Sequence, residues 1–133
     1  MSVQFLVNSS KDQAALELNE FDRNFFKATL RSRGVSATTN VGTYMSDGLA
    51  ELFAFFSNNW KGWEGSKNWR SLEGELYIDA HSDRLGHVYL IVRLSDGAPA
   101  RWTLEANLVL EAGMLAELAA RAREFEEVVS VAA

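Results

Sequence analysis

The chain has no cysteine, a single proline at Pro99, only two histidines and no long uninterrupted apolar run. The missing cysteine excludes a disulfide framework, a thiolate zinc site and a cysteine nucleophile. A membrane-spanning helix needs about 18 consecutive apolar residues, and no such run exists, so no membrane partner is expected. Two histidines leave little material for a metal centre. No glycine-rich phosphate loop and no G-x-S-x-G nucleophile elbow is present. Gly62-Trp63-Glu64-Gly65 is too short for a phosphate cradle and lacks the strand–loop–helix context.

What remains is well supplied for a core. The 133 residues are 47% hydrophobic and include four Trp and eight Phe, which excludes disorder as the main state. The length fits one domain over 1–133, with 128–133 expected as a flexible tail. The net charge of −5 is uneven. Residues 1–70 hold eight basic and seven acidic groups, whereas residues 71–133 hold five and eleven. An acidic half repels phosphate backbones, so no nucleic-acid partner is expected. The start Met1-Ser2-Val3-Gln4 lacks a basic stretch followed by an apolar one, so no signal peptide is expected and the location is read as cytoplasmic.

Period-two alternation marks the strands. Val3 to Val7 is a short edge strand, and Leu16 and Leu18 alternate with Glu17 and Asn19. Phe26, Ala28 and Leu30 lead through Arg33-Gly34 into Val35, Ala37, Thr39 and Val41, which reads as a hairpin. Leu49, Leu52, Phe53, Phe56 and Trp60 then fall on one face of a helix, with Ser46 or Asp47 expected as its N-cap. Residues 60–71 hold three Trp and two Gly and read as a loop. Strands follow over 72–81, 87–94 and 101–108, separated by turns at Ser82–Gly86 and Ser95–Pro99. A helix carrying Leu115, Leu118, Ala119, Ala122 and Phe125 ends near Glu126-Glu127. The expected fold is α+β: one mostly antiparallel twisted sheet of six to seven strands, order β-β-β-β-α-β-β-β-α, with both helices on one face.

The other sheet face is then open. If the strands on either side of Ser82–Gly86 pair with His81 opposite His87, then Asp79 faces Tyr89 and Tyr77 faces Ile91. Glu75 faces Arg93, an ion pair contributing about 0.2–1 kcal/mol. His81, Asp83 and His87 cluster at one turn. Two imidazoles and a carboxylate are the donor types of a divalent-metal site, but the spacing matches no metal signature, and Asp83 in that position caps a turn. Glu73, Glu75, Asp79 and Glu105 are acid–base carboxylates in principle, but on a polar strand face they are ordinary solvated groups. Trp60 and Trp102 are expected in the core. Trp63, between two glycines, is expected either to cap the core or to anchor a partner.

The run Trp60-Lys61-Gly62-Trp63-Glu64-Gly65, then Trp69-Arg70-Ser71-Leu72-Glu73, Gly86-His87-Val88, Trp102 and Glu111-Ala112-Gly113, resembles a family of small bacterial proteins defined only as a domain of unknown function. The resemblance covers nearly the whole chain and implies no catalytic residues and no cofactor. The architecture is also similar to that of the small acidic immunity proteins encoded beside bacterial toxins, an analogy of fold alone.

Three functions are open at this point. The first is a non-enzymatic module that holds a protein, such as a basic toxin, with Trp63, Tyr77, Tyr89 and Ile91 as anchors and Glu75, Asp79, Arg93 and Glu105 around them. The second is a small-ligand or metal-dependent site at His81, Asp83, His87 and Trp63. The third is a homodimer that buries the open face.

Overall fold

The computed structural model describes residues 4–22, 24–42 and 48–132. Four antiparallel strands come first: β1 (Phe5–Asn8), β2 (Ala15–Asp22), β3 (Phe25–Ser32) and β4 (Val35–Gly42), paired in that order. Helix α1 (Leu49–Asn58) follows. A second antiparallel set comprises β5 (Lys67–Arg70), β6 (Leu76–Ser82), β7 (His87–Ser95) and β8 (Thr103–Glu111), again paired in sequence order. A 3₁₀ turn over Ala112–Met114 leads into α2 (Leu115–Ala132), which continues past Glu126-Glu127. Among the described residues no helix is long and apolar enough to cross a membrane.

The class is α+β and antiparallel in one domain, with eight strands in two sheets of four where the sequence suggests one sheet. The physical reason lies in the segment between β4 and β5. A ten-residue helix and a Trp-rich turn separate them, so the hairpin chain is interrupted and a new sheet starts at β5. β5 itself falls inside the segment that reads as loop. Its short run places Trp69 opposite Ile78, and both are buried.

Each strand turns one set of side chains inward. Phe5, Val7, Leu16, Leu18, Phe26, Ala28 and Leu30 line the first sheet's inner face. Ile78, Ala80, Leu90, Val92, Leu108 and Leu110 line the second. These faces and one stripe of each helix form a single core. Along one side β3 and β4 approach β7 and β8 directly; along the other, α1 sits by β5 and α2 by β1. Phe5 meets Phe53 edge-on at 5.1 Å, and Phe26 meets Phe125 at 5.4 Å.

The start of α1 is capped from a distance. Its N-cap residue is Gly48, at φ +104°, with no side-chain bond of its own. Glu126 on α2 supplies the acceptor, with its Oε2 3.2 Å from the Ala50 N–H. A carboxylate at a helix N-terminus is favoured by the exposed N–H groups and the dipole. Ser46 and Asp47, the caps suggested by sequence, lie outside the described residues. At the other end Asn59 stops the helix, its side-chain amide donating to the Phe55 carbonyl at 2.9 Å. Trp60 therefore leaves the apolar stripe and is 51% exposed, with the Lys61 ammonium 5.3 Å from its ring. This corrects the core position expected for Trp60; Trp102 does pack, half-buried, against the core.

Candidate functional site

The outer face of β5–β8 is left uncovered by both helices. Strand register arranges its side chains in rows. Arg70, Tyr77, Arg93 and Glu105 form one row across the four strands. Asn68, Asp79, Ile91 and Asn107 form the next, and His81, Tyr89 and Val109 a third. His87 and Glu111 close the face beside the β6–β7 turn.

The pairing differs by two residues from the expected register. Tyr77, not Glu75, faces Arg93; Asp79 faces Ile91; His81 faces Tyr89. The turn chemistry explains the shift. Asp83 Oδ1 accepts the N–H of Leu85 at 2.8 Å and of His87 at 3.0 Å, and the Asp83 N–H donates to the His87 carbonyl. Gly86 has φ +91°, so it belongs in the loop and cannot sit opposite a strand residue.

Glu75 is consequently absent from the face. It is buried just before β6, where its carboxylate accepts from the Ser71 hydroxyl at 2.8 Å and its carbonyl accepts from the Ser95 N–H. Gly74 at φ +79° lets the chain roll inward at this point. Arg93 pairs instead with Glu105 at 3.2 Å and lies 5.2 Å from the Tyr77 ring. Trp63 is also away from the face. Its ring stacks on Phe56 at 5.6 Å and meets Phe55 edge-on, while its backbone N–H donates to Ser82 Oγ at 2.9 Å. Trp63 thus packs, half-buried, against the core.

A polar network closes the end of the face. His87 Nδ1 lies 2.8 Å from Asp83 Oδ2, and His87 Nε2 lies 3.2 Å from Glu111 Oε1. Tyr89 donates its hydroxyl to Asp83 Oδ2 at 3.0 Å, and its ring stacks with His81 at 5.3 Å. The β1–β2 connection completes the network. Ser10 Oγ donates to Glu111 Oε2 at 2.7 Å, and the Lys11 ammonium is 3.7 Å from the same oxygen. The Ser10 N–H and the Ser9 hydroxyl bind the carbonyl and N–H of Val109.

The electrostatics follow from these bonds. Desolvation opposes ionisation of Asp83, but N–H donors from His87 and Leu85, the Tyr89 hydroxyl and the His87 ring outweigh it and hold the carboxyl well below the usual range. Glu111 is lowered by the Ser10 hydroxyl against desolvation, with help from His87 and Lys11. Tyr89 is raised, chiefly because its hydroxyl serves Asp83. Both imidazole nitrogens of His87 face carboxylates. Among the described residues no three His, Asp or Glu side chains are grouped to hold a metal ion. The network acts as a clasp joining the β6–β7 turn, β8 and the β1–β2 connection.

Glu111, Ser10 and Lys11 are the residues the sequence reading missed. Glu111 is reachable by continuing the alternation Glu105, Asn107, Val109 along β8. Ser10 sits 101 residues from Glu111, and no local pattern signals that contact.

The family model of DUF6228, described as a family of unknown function, matches residues 7–128. The chain belongs to the DUF6228 family. The match runs from β1 into α2 and takes in every residue of the outer face and of the clasp. A domain family of unknown function is what the resemblance implies. No curated protein matches this DUF6228 chain.

Proposed function

We propose that this DUF6228 domain is a non-enzymatic protein-binding module of the bacterial cytoplasm, and that the outer β5–β8 face holds a basic protein surface. The observation that carries the reading is the face itself. Tyr77, Tyr89 and Ile91 stand half-buried together on an uncovered sheet, ringed by Asp79, Asp83, Glu105 and Glu111. Tyrosines of this kind lose little conformational entropy on binding and are frequent hot spots. The bonds that lower Asp83 and Glu111 keep both carboxylates charged, which favours a partner rich in Lys and Arg. Of the two guanidiniums in the Tyr77 row, Arg70 and Arg93, the second is already matched by Glu105. A basic toxin neutralised by the domain is one partner with this chemistry.

The test uses wild type and a Tyr77→Ala, Ile91→Ala double variant as immobilised baits, with folding checked by circular dichroism. The expected result is a basic protein that wild type captures, that salt releases and that the double variant fails to retain. Equal recovery of the same protein by both baits overturns the reading.

A further inference from the structure

Two four-stranded sheets present four edge strands, and exposed edges are templates for pairing with other chains. Three of the four are blunted here. β1 and β5 have four residues each, and β1 lies by α2. β8 is bonded along its edge at Val109 by Ser9 and Ser10. The fourth, β4, is different. It has eight residues, Val35-Ser36-Ala37-Thr38-Thr39-Asn40-Val41-Gly42, with no charge and no proline. Among the described residues, no group outside β3 hydrogen-bonds to it.

The hairpin fixes which β4 groups are free. A two-residue loop, Arg33-Gly34, joins Ser32 to Val35, and Gly34 has φ +66°. The pair closing such a loop exchanges main-chain bonds, and bonded pairs then alternate along the ladder. Val35, Ala37, Thr39 and Val41 therefore bond to β3. The N–H and C=O groups of Ser36, Thr38 and Asn40 point away from it, and all three residues are exposed. The inner face of this strand is also incompletely covered: Val35 is 51% exposed, and Ala37 and Thr39 are only half-buried.

We infer that β4 is a self-association edge, pairing antiparallel with β4 of a second copy about a two-fold axis at Thr38. In this register the free groups of Ser36 meet those of Asn40 in the partner, Thr38 meets Thr38, and Asn40 meets Ser36. Every outward main-chain group of the three residues is satisfied. The Thr29 and Thr38 hydroxyls are already 2.9 Å apart, and the second copy continues this contact into a row of four threonines. On the inner side Ala37 meets Thr39, extending the apolar surface that Val35 leaves exposed. An uncharged strand sets no like charges against each other in a symmetric pair; an edge protected from its own copies typically carries Lys or Pro. Strand pairing alone makes a small interface, of the class below about 1,200 Å² that gives reversible, concentration-dependent complexes. The two copies would leave both β5–β8 outer faces open, so this inference is independent of the proposed function.

The experiment is amide exchange read residue by residue at micromolar and millimolar protein, with sedimentation at the same concentrations. The expected result is conversion of one chain into a pair, with exchange at Ser36, Thr38 and Asn40 slowing roughly tenfold once nine chains in ten are paired. Exchange at Ala37 and Thr39, already bonded to β3, stays unchanged. Thr38→Lys sets two ammonium groups together at the axis and is expected to remain a folded single chain. Because the chain has no native cysteine, Thr38→Cys gives an unambiguous oxidative cross-link, and Asn107→Cys on the other sheet serves as control. A single chain at all concentrations overturns the inference. So does a pair that survives Thr38→Lys or cross-links through Asn107→Cys.

Discussion

Asp83 carries more of the local structure than any other single side chain on the outer face. It closes the β6–β7 turn through two N–H groups and also receives the Tyr89 hydroxyl and the His87 ring. Its carboxyl titrates below the ordinary aspartate value of 3.8, because the folded state stabilises the charged form. A depressed folded pKa contributes stability that is complete above the unfolded value and disappears as pH falls through the folded one. Glu111, also lowered, acts with the same sign. Asp83→Asn is therefore expected to be less stable at neutral pH and to lose less on acidification, as urea midpoints measured across the acid range would show. The same change should return Tyr89 toward the ordinary tyrosine range, since Asp83 is the main cause of its raised pKa. Ultraviolet titration of Asp83→Asn against Tyr89→Phe reads this directly. At this scale the closeness of Asp83 and His87 was legible because one turn holds both, whereas His81 instead stacks on Tyr89. The other partner of His87, Glu111, was not legible, because strand pairing rather than sequence spacing brings it to Nε2 of that ring.

Elements were legible where one physical rule governed them. The stripe Leu49, Leu52, Phe53, Phe56 places α1, and all four side chains are buried. The β3–β4 hairpin turns at Arg33-Gly34, as its alternation indicates. The rule failed where two signals competed. In β5, Gly and Trp suggested loop, yet four residues suffice to pair with β6. At the β6–β7 turn, apolar alternation fits registers two residues apart equally well, and the positive φ of Gly86 decides between them. The Trp-rich turn has a similar constraint. Gly62 has φ +112°, and a Cβ there would lie 2.7 Å from the Asp83 carbonyl oxygen. Gly65 has φ +78° with open space around it. Gly65→Ala should cost about 1–2 kcal/mol from backbone conformation alone, and Gly62→Ala should cost more because a turn must also move. Denaturant midpoints of the two variants check the order. Phe125 joins Phe5 and Phe26 under α2, and Phe125→Ala is expected to lower stability by about 3–5 kcal/mol.

At the scale of the molecule, the two outer faces are chemically distinct. On the first sheet Glu17 is surrounded: the Arg31 guanidinium, Gln4 and Asn19 all bond to its carboxylate, and the Arg31 bond lowers its pKa against desolvation. On the second sheet the carboxylates cluster around tyrosine and outnumber the guanidiniums. The acidic bias of residues 71–133 was legible from counting, but which of its carboxylates share the outer β5–β8 face depends on the chain splitting into two sheets. Site-specific photo-cross-linking from Asn107, exposed opposite Ile91, against Glu124, exposed on α2, tests the binding face most directly. The account predicts one discrete, salt-sensitive adduct with a basic protein from Asn107 and none from Glu124. The same adduct from both positions, or from Glu124 alone, would contradict it.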